Sequence, residues 1–251
     1  MKKNIFVIIC LIICFNLNAY ASQLLPDYIT NHTQTIEAPK TGEKGKTYFY
    51  CFDGKKCSTE DVVKDYYQNK GYKVMRAEVD FWFAMFAVAF FDEIYSINTY
   101  YHGDIPSDMF YKDFYANRAK IIDEKYKYLQ TANLFEFINS QIEKHGDFKT
   151  RLFYNIPDEQ YSMIRYFKTD IVQEFLKRID RKVFAKIVYR IAQYPRENRA
   201  GTQDYIVWNK KELIFVEVKR EKEKLREEQI IWAKFLLDNK IPIVIMRVRG
   251  I

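Results

Sequence analysis

The sequence predicts an α/β fold in which a mixed sheet is flanked by helices, with a mostly helical region inserted. Two short β-rich runs, Tyr205 to Trp208 and Leu213 to Val218, are joined by a turn-like segment and predict a hairpin. A helical pattern from about 225 to 239 follows the hairpin. A strand is then predicted from 241 to 248, and its apolar stretch from Ile243 to Met246 indicates burial on both faces.

The first 21 residues carry the pattern of a secretory signal. Lys2 and Lys3 precede an apolar run from 5 to 15, and Ala19 and Ala21 are the small residues that a signal peptidase reads. We therefore expect an exported protein, periplasmic or secreted, without stable membrane association after cleavage. An uncleaved anchor is the alternative, although the apolar run is short for a bilayer span.

Residues 22–58 are interpreted as an extended lead-in. The stretch to about 46 is polar, contains two prolines and shows no sustained period, which favours a linker. Cys51 and Cys57 flank a turn-like segment and are the two cysteines left once the signal is removed. Export implies an oxidising compartment, so we predict that they pair; two unrelated thiols are the alternative.

The segment from 59 to 251 is predicted to form one domain that begins with helices. Capping residues at Ser58 and Asp61 predict a helix from about Thr59 to Lys70. Residues 78 to 95 are apolar on nearly every face and predict a buried helix that begins at Glu78, which by itself is an ordinary first-turn acid. Amphipathic patterns fill the helical insertion from about 100 to 195.

Composition narrows the function classes. A chain of 251 residues with 48% hydrophobic positions has enough apolar material for a buried core, which excludes a disordered protein. A net charge of +7 and a pI near 9.0 suit a polyanionic partner such as nucleic acid.

Three charged residues near the hairpin form a candidate catalytic site. Side chains alternate along a strand, so Glu217 and Lys219 point to the same face, and the hairpin brings Asp204 towards Glu217. Two carboxylates close together favour a bound cation, and oxygen ligands without His or Cys select Mg²⁺ or Mn²⁺. On its own, a Glu-x-Lys triplet is an ordinary exposed strand face.

The motifs around this site resemble the VRR-NUC domain of the PD-(D/E)XK nuclease superfamily. The resemblance rests on the segments 199 to 208 and 215 to 219, on Leu225, on Gln229 to Trp232, and on the final strand. Further upstream, Gly71-Tyr72, Glu78 and the apolar run ending at Tyr95 resemble the nuclease half of the Fanconi-associated nuclease family. The likeness covers about 59 to 248.

This resemblance implies a restriction-endonuclease-like core that cuts DNA with Mg²⁺ or Mn²⁺. It implies that Glu78, Asp204 and Glu217, together with the backbone carbonyl of Val218, hold one or two metal ions. It also implies that Lys219 completes the catalytic set and that Gln229 supports the site or the substrate.

Two departures from the family pattern keep a second function open. Gln203 stands where the family usually has Pro, and Arg220-Glu221 replaces Gly-Pro after the catalytic lysine. A catalytically impaired nucleic-acid-binding protein with the same fold is therefore the alternative to an active nuclease.

Basic residues just before the hairpin are candidates for DNA phosphate contacts. They are Lys182, Lys186, Arg190, Arg196 and Arg199. A solvated helix face explains the first three equally well.

The predicted compartment conflicts with the resemblance, because relatives of this nuclease work on chromosomes inside cells. Three interpretations remain open: an exported scavenger of DNA, a secreted nuclease toxin or effector, and an intracellular protein with a misassigned start.

Overall fold

The computed structural model describes residues 29–43, 46–51, 53–77, 80–97, 99–102, 105–145 and 167–251. The predicted signal sequence, Glu78 and residues 146–166 of the predicted helical insertion lie outside these residues. Within the described part, no helix has the length and apolar character needed to cross a bilayer.

The strands, in chain order, are β1 (Thr33–Ala38), β2 (Lys40–Glu43), β3 (Lys46–Tyr50), β4 (Lys56–Cys57), β5 (Lys73–Arg76), β6 (Tyr101–His102), β7 (Ile105–Pro106), β8 (Tyr205–Trp208), β9 (Leu213–Arg220) and β10 (Ile243–Gly250). The helices, in chain order, are α1 (Thr59–Asn69), α2 (Asp80–Ala89), α3 (Phe91–Ile94), α4 (Asp113–Ala116), α5 (Ala119–Leu129), α6 (Leu134–His145), α7 (Asp170–Arg178), α8 (Arg181–Gln193) and α9 (Glu227–Asp238).

The centre of the fold is a mixed sheet of five strands in the order β1-β10-β9-β8-β5. β8 runs antiparallel to both β9 and β5, whereas β9, β10 and β1 run parallel to one another. The parallel strands β9 and β10 are joined through α9, because a parallel pair needs a crossover rather than a tight turn.

Helices cover both faces of this sheet. Val62, Val63 and Tyr67 of α1 pack on one face in a cluster with Val216 and Val218 of β9. The other face carries the larger core, in which α2, α8 and α9 join the strands. The predicted α/β class, a mixed sheet flanked by helices with a mostly helical region between 100 and 195, is therefore what the structure contains.

The alternation predicted for the second hairpin strand is present. Phe215 packs in the larger core, whereas Val216 and Val218 pack in the α1 cluster. Glu217 and Lys219 therefore share the larger core's face of the sheet.

The lead-in differs from its prediction, since part of it belongs to the sheet. β1 pairs in parallel with β10 from Thr33 opposite Ile245 to Ala38 opposite Gly250. Most side chains of this edge strand are at least partly exposed, so the segment is polar and is held by backbone hydrogen bonds. A strand of this kind has no apolar pattern from which the sequence could predict it.

The hairpin that follows β1 contains a disulfide. Cys51 and Cys57 are bonded through their sulfurs, with their Cα atoms 5.9 Å apart. Phe49 of β3 pairs with Cys57 of β4 and is buried against α1, so the hairpin packs on the side of the sheet that α1 covers.

The predicted long buried helix is two helices. α2 ends at Ala89 and α3 begins at Phe91, with Phe90 between them outside helical conformation. All ten residues from Phe81 to Phe90 are buried, which explains why periodicity could not detect the break.

Candidate active site

The hairpin register brings two carboxylates together. Tyr205 of β8 pairs with Val216 of β9, so Asp204 lies across from Glu217. The Oδ2 atom of Asp204 accepts a hydrogen bond of 2.6 Å from the backbone N–H of Val218. This bond fixes the Asp204 carboxylate beside the peptide that joins Glu217 to Val218.

Glu217 is buried, and only one of its two carboxylate oxygens has hydrogen-bond partners. Its side chain is 1% exposed, and its Oε1 atom lies 2.7 Å from the ammonium of Lys219 and accepts a hydrogen bond from Gln229. Its Oε2 atom is buried without a hydrogen-bond partner. A buried carboxylate oxygen without a donor is costly, so it indicates a missing ligand.

The electrostatics of the site also favour a cation. Burial, aided by the charge of Asp204, raises the pKa of Glu217 to about 8, although Lys219 opposes the shift. Burial works against the charged form of Lys219, but Glu217 outweighs it, so the pKa of the ammonium is raised. Near neutral pH the Glu217 carboxyl therefore retains a proton unless a cation takes its place.

Gln229 joins β9 to the start of α9. Its Oε1 atom accepts a 2.9 Å hydrogen bond from the backbone N–H of Arg226, the residue that precedes the helix. Its Nε2 atom donates to Glu217. One amide therefore caps the helix and fixes the orientation of the carboxylate.

For a site that binds a divalent metal and cuts DNA, as the family resemblance implies, we predict that Gln229→Ala weakens both about 10- to 100-fold, as is typical when a group that orients a metal ligand is lost. Mn²⁺-induced thermal stabilisation and cleavage rates measure the two effects. The matched control is Glu227→Ala, an exposed residue of the same helical turn. Equal behaviour of the two variants would contradict a role for the Gln229 amide.

Gly201 lets the segment before Asp204 lie on α9. Its φ angle is +88°, and a Cβ atom at this position would come within 2.6 Å of the backbone carbon of Glu228. Thr202 and Gln203, the next two residues, are buried, with the Thr202 Oγ1 and Gln203 Nε2 atoms lacking hydrogen-bond partners. The close approach of Gly201 thus delivers Asp204 to the site beside the first turn of α9.

Gly201→Ala is predicted to destabilise the fold by about 2–5 kcal/mol, because backbone strain and a clash add together. Gly71→Ala is the matched control: its φ is +80°, but a Cβ there meets nothing within 4 Å, so only the conformational cost of about 1–2 kcal/mol applies. Chemical denaturation compares the two variants. If Gly71→Ala is as destabilising as Gly201→Ala, the close packing of Gly201 on Glu228 does not contribute to the loss of stability.

The donor set near Asp204 fits a hard divalent cation. Asp204, Glu217 and the carbonyl of Val218 offer oxygen ligands, which Mg²⁺ and Mn²⁺ prefer. Over the described residues, no group of three or more His, Cys, Asp or Glu side chains is placed to hold a metal. Glu78, the predicted third carboxylate, lies outside them; it directly follows Ala77, whose N–H donates to the carbonyl of Asp204 at 2.9 Å.

The basic residues before the hairpin divide into two groups. Lys182 and Arg196 are exposed, and Lys186 and Arg199 are half-buried. Arg190 is used internally: its Nε atom donates to Asn198 at 2.8 Å, and its guanidinium lies over the rings of Trp232 and Phe235. We therefore leave Arg190 out of the set proposed to contact DNA.

A mixed sheet with an Asp–Glu–Lys site on its central hairpin, followed by a helix and a parallel strand, defines a PD-(D/E)XK nuclease fold of the restriction-endonuclease-like class. Residues 137–250 match the VRR-NUC domain family. This segment runs from α6 to β10 and is the part of the chain that resembles a VRR-NUC domain.

The curated relatives are Fanconi-associated nuclease 1 homologs. The Caenorhabditis elegans protein is 26% identical over 201 residues, which cover 75% of this chain and 22% of the relative. The Arabidopsis thaliana protein is 24% identical over 217 residues, which cover 81% of this chain and 23% of the relative. The chain thus spans less than a quarter of the length of these two relatives.

Solved structures show the same fold. The crystal structure of paFAN1 bound to 1nt 5'flap DNA with gap matches with a TM-score of 0.69 and 18% identity, covering 88% of this chain and 38% of that one. The complex of paFAN1 with 2nt 5'flap DNA with gap matches with a TM-score of 0.65 and 17% identity, covering 86% and 37%.

The prediction of an exported protein is wrong. The curated relatives are Fanconi-associated nuclease 1 homologs and the matched structures are paFAN1 bound to DNA, and none of these comparisons supports export. The prediction rested on lysines followed by an apolar run at the N-terminus. Such a pattern describes the composition of that segment alone and carries no information about where the folded domain works. The predicted signal sequence itself lies outside the described residues.

Proposed function

We propose that this chain is a divalent-metal-dependent nuclease that hydrolyses phosphodiester bonds in DNA, with Mg²⁺ or Mn²⁺ as the cofactor. The observation that carries the proposal is the buried Oε2 atom of Glu217, which lacks a hydrogen-bond partner at the point where Asp204 approaches. The kinship with Fanconi-associated nucleases supports DNA as the substrate.

Asp204, Glu217 and the Val218 carbonyl would hold the metal, with Glu78 as a further proposed ligand. When bound, the metal supplies a more acidic water and neutralises negative charge on the phosphate. Asp204 is kept in position by the N–H of Val218, and Glu217 by Gln229. Both carboxylates are therefore set in place before the substrate arrives, which is the arrangement that electrostatic catalysis requires.

Lys219 would act on the attacking water and on the charge that develops during hydrolysis. Its side chain is 7% exposed and its ammonium lies 2.7 Å from Glu217, so it is held at the edge of the proposed metal site. A cation fixed there can orient the water for attack on phosphorus and stabilise the additional negative charge of the transition state.

DNA phosphates would be contacted by Lys182, Lys186, Arg196 and Arg199. Arg196 and Arg199 belong to the segment between α8 and Asp204, so they lie just before the catalytic strand pair in the chain. Contacts of this kind position the duplex without reading its sequence.

The test is a metal-titrated cleavage assay on end-labelled linear, single-stranded and flapped DNA. We expect cleavage with Mg²⁺ or Mn²⁺ and none with excess chelator. Thermal stabilisation by Mn²⁺ should accompany it, because a ligand that binds only the folded state raises its stability. Intact DNA in every condition would refute the proposal.

Metal-independent DNA binding without cleavage would favour the second candidate, an impaired binding protein with the same fold. The sequence departures at Gln203 and at Arg220-Glu221 are the observations in its favour.

A further inference from the structure

The loop that follows the catalytic strand is clamped by an arginine from the neighbouring strand. The Nη1 atom of Arg247 donates to the carbonyls of Arg220, Glu221 and Glu223, at 3.2, 3.0 and 2.8 Å. Three carbonyl oxygens gathered around one point repel one another unless a cation lies between them. Arg247 therefore holds this loop in its observed shape.

The clamped loop presents a carboxylate to the catalytic lysine. The N–H of Glu223 donates to the carbonyl of Arg220 at 3.0 Å, and Glu223 Oε2 accepts from the N–H of Arg220 at 3.3 Å. Glu223 Oε1 lies 3.3 Å from the ammonium of Lys219. Lys219 is thus held between Glu217 on its own strand and Glu223 on the loop.

Arg247 is built into the strand next to the site. It pairs with Lys219 in the parallel register of β10 and β9, on the same face of the sheet as Ile243 and Ile245 of the larger core. A charged side chain at this position of a buried strand is unusual and needs a partner. The partner it has is the backbone of the loop, where this chain carries Arg220-Glu221.

We infer that Arg247 is a positioning residue for the nuclease reaction: it shapes the loop from Arg220 to Glu223, and this loop aims Lys219 at the scissile phosphate through Glu223. The inference rests on the proposed nuclease function. It assigns Arg247 no contact with DNA, so its loss should affect turnover rather than substrate affinity.

Arg247→Ala is expected to lower kcat for DNA cleavage about tenfold with KM within about twofold, as for other residues that act through a catalytic group. Arg247→Lys, which keeps a cation near the carbonyls, should recover part of the loss. Thermal stabilisation by Mn²⁺ should be retained in both variants, since the proposed metal ligands Asp204 and Glu217 are positioned by the N–H of Val218 and by Gln229.

Arg249→Ala is the matched control. Arg249 lies two residues further along the same strand and reaches the same loop, but through the carboxylate of Glu221 at 2.8 Å; it also pairs with Glu37 of β1. This variant loses the same charge and leaves the three carbonyls clamped, so kcat should stay within about twofold of the wild type.

A double-mutant cycle with Glu223→Ala tests the route of action. Because Arg247 is inferred to act through Glu223, the double variant should be no slower than the slower single variant. Additive losses would overturn the inference, and so would an unchanged kcat in Arg247→Ala. A raised KM at constant kcat would also overturn it, because that result means a DNA contact.

Trypsin supplies a readout that does not depend on activity. Lys222 and Lys224 in the loop are exposed, and Arg247→Ala should speed cleavage there whereas Arg249→Ala should not. Equal rates of trypsin cleavage in the two variants would overturn the inference that Arg247 holds the loop in shape. Inactive wild-type protein would instead refute the proposed function, so the two failures are distinguishable.

Discussion

Replacing Glu217 by Gln is expected to reduce DNA cleavage by about a thousandfold, equivalent to ~4 kcal/mol of transition-state stabilisation. The amide has the size of the carboxylate, and its oxygen can still accept the hydrogen bonds from Lys219 and Gln229. Its NH₂ group then occupies the place of the unpartnered Oε2 atom, so a donor points to where a cation would bind. Single-turnover cleavage with saturating Mn²⁺ measures the loss.

Glu228→Gln is the control for this substitution. It makes the same change on an exposed side chain that precedes Gln229 in α9, and we expect cleavage within about twofold of the wild type because exposed charges contribute little. Substantial activity in Glu217→Gln would remove Glu217 from the proposed metal ligands.

The same variant makes a prediction about pH and stability. The pKa of Glu217 rises from its ordinary value of 4.5 to about 8 in the folded protein. The unfolded chain therefore loses its proton first, and the metal-free wild type should lose stability as pH rises from about 4.5 to 8. Glu217→Gln cannot titrate and should lack this decline in chelator-containing buffer.

The second large effect is expected at Arg118, whose substitution by Met should destabilise the protein by about 3–5 kcal/mol, the usual result of removing one partner of a buried ion pair. The guanidinium is fully buried and makes two hydrogen bonds to Asp108, at 2.6 and 3.1 Å. It also donates to the carbonyls of Ile94 and Phe114, so it ties α3 to the helical insertion. In thermal unfolding, the midpoint should fall by roughly 10 °C.

Arg181→Met is the comparison for Arg118. Arg181 is exposed and donates to the carbonyl of Thr131 at 3.3 Å, so its loss should cost less than about 0.5 kcal/mol. Equal midpoints for the two variants would show that the buried arginine network does not stabilise the insertion.

The catalytic hairpin could be predicted because its information is local. Asp204 and Glu217 are brought together by a short turn, and strand alternation alone sets Glu217 and Lys219 on one face. Both inferences need only the residues between Asp204 and Lys219. Gln229 lies beyond this span: motif resemblance placed it near the site, and the structure shows it bonded to Glu217.

The remaining features depend on partners far apart in sequence. β1 and β5 are strands because they pair with β10 and β8, and neither carries an apolar pattern long enough to be recognised alone. The clamp by Arg247 was missed for the same reason, since its carbonyl partners lie more than twenty residues earlier in the chain. A charge inside an otherwise apolar terminal run was the available signal.

Arg190 shows how spacing alone leaves the surroundings of a side chain open. Its spacing from Lys182 and Lys186 suggested a basic helix face, but hydrophobic rings and Asn198 take up its guanidinium. Helical spacing gives the direction of a side chain and not the identity of what packs against it.

Because β1 pairs in parallel with β10, the short segment Thr33–Ala38 protects the protein against aggregation. β10 is largely buried, with apolar residues on both faces of its first half, and bonds to β9 on one side and to β1 on the other. Proteolytic removal of Thr33–Ala38 would make β10 an edge strand with unpaired backbone donors and acceptors. Strands of other molecules could then pair with it. Trimming at this point would therefore endanger solubility before it affected any group of the catalytic hairpin.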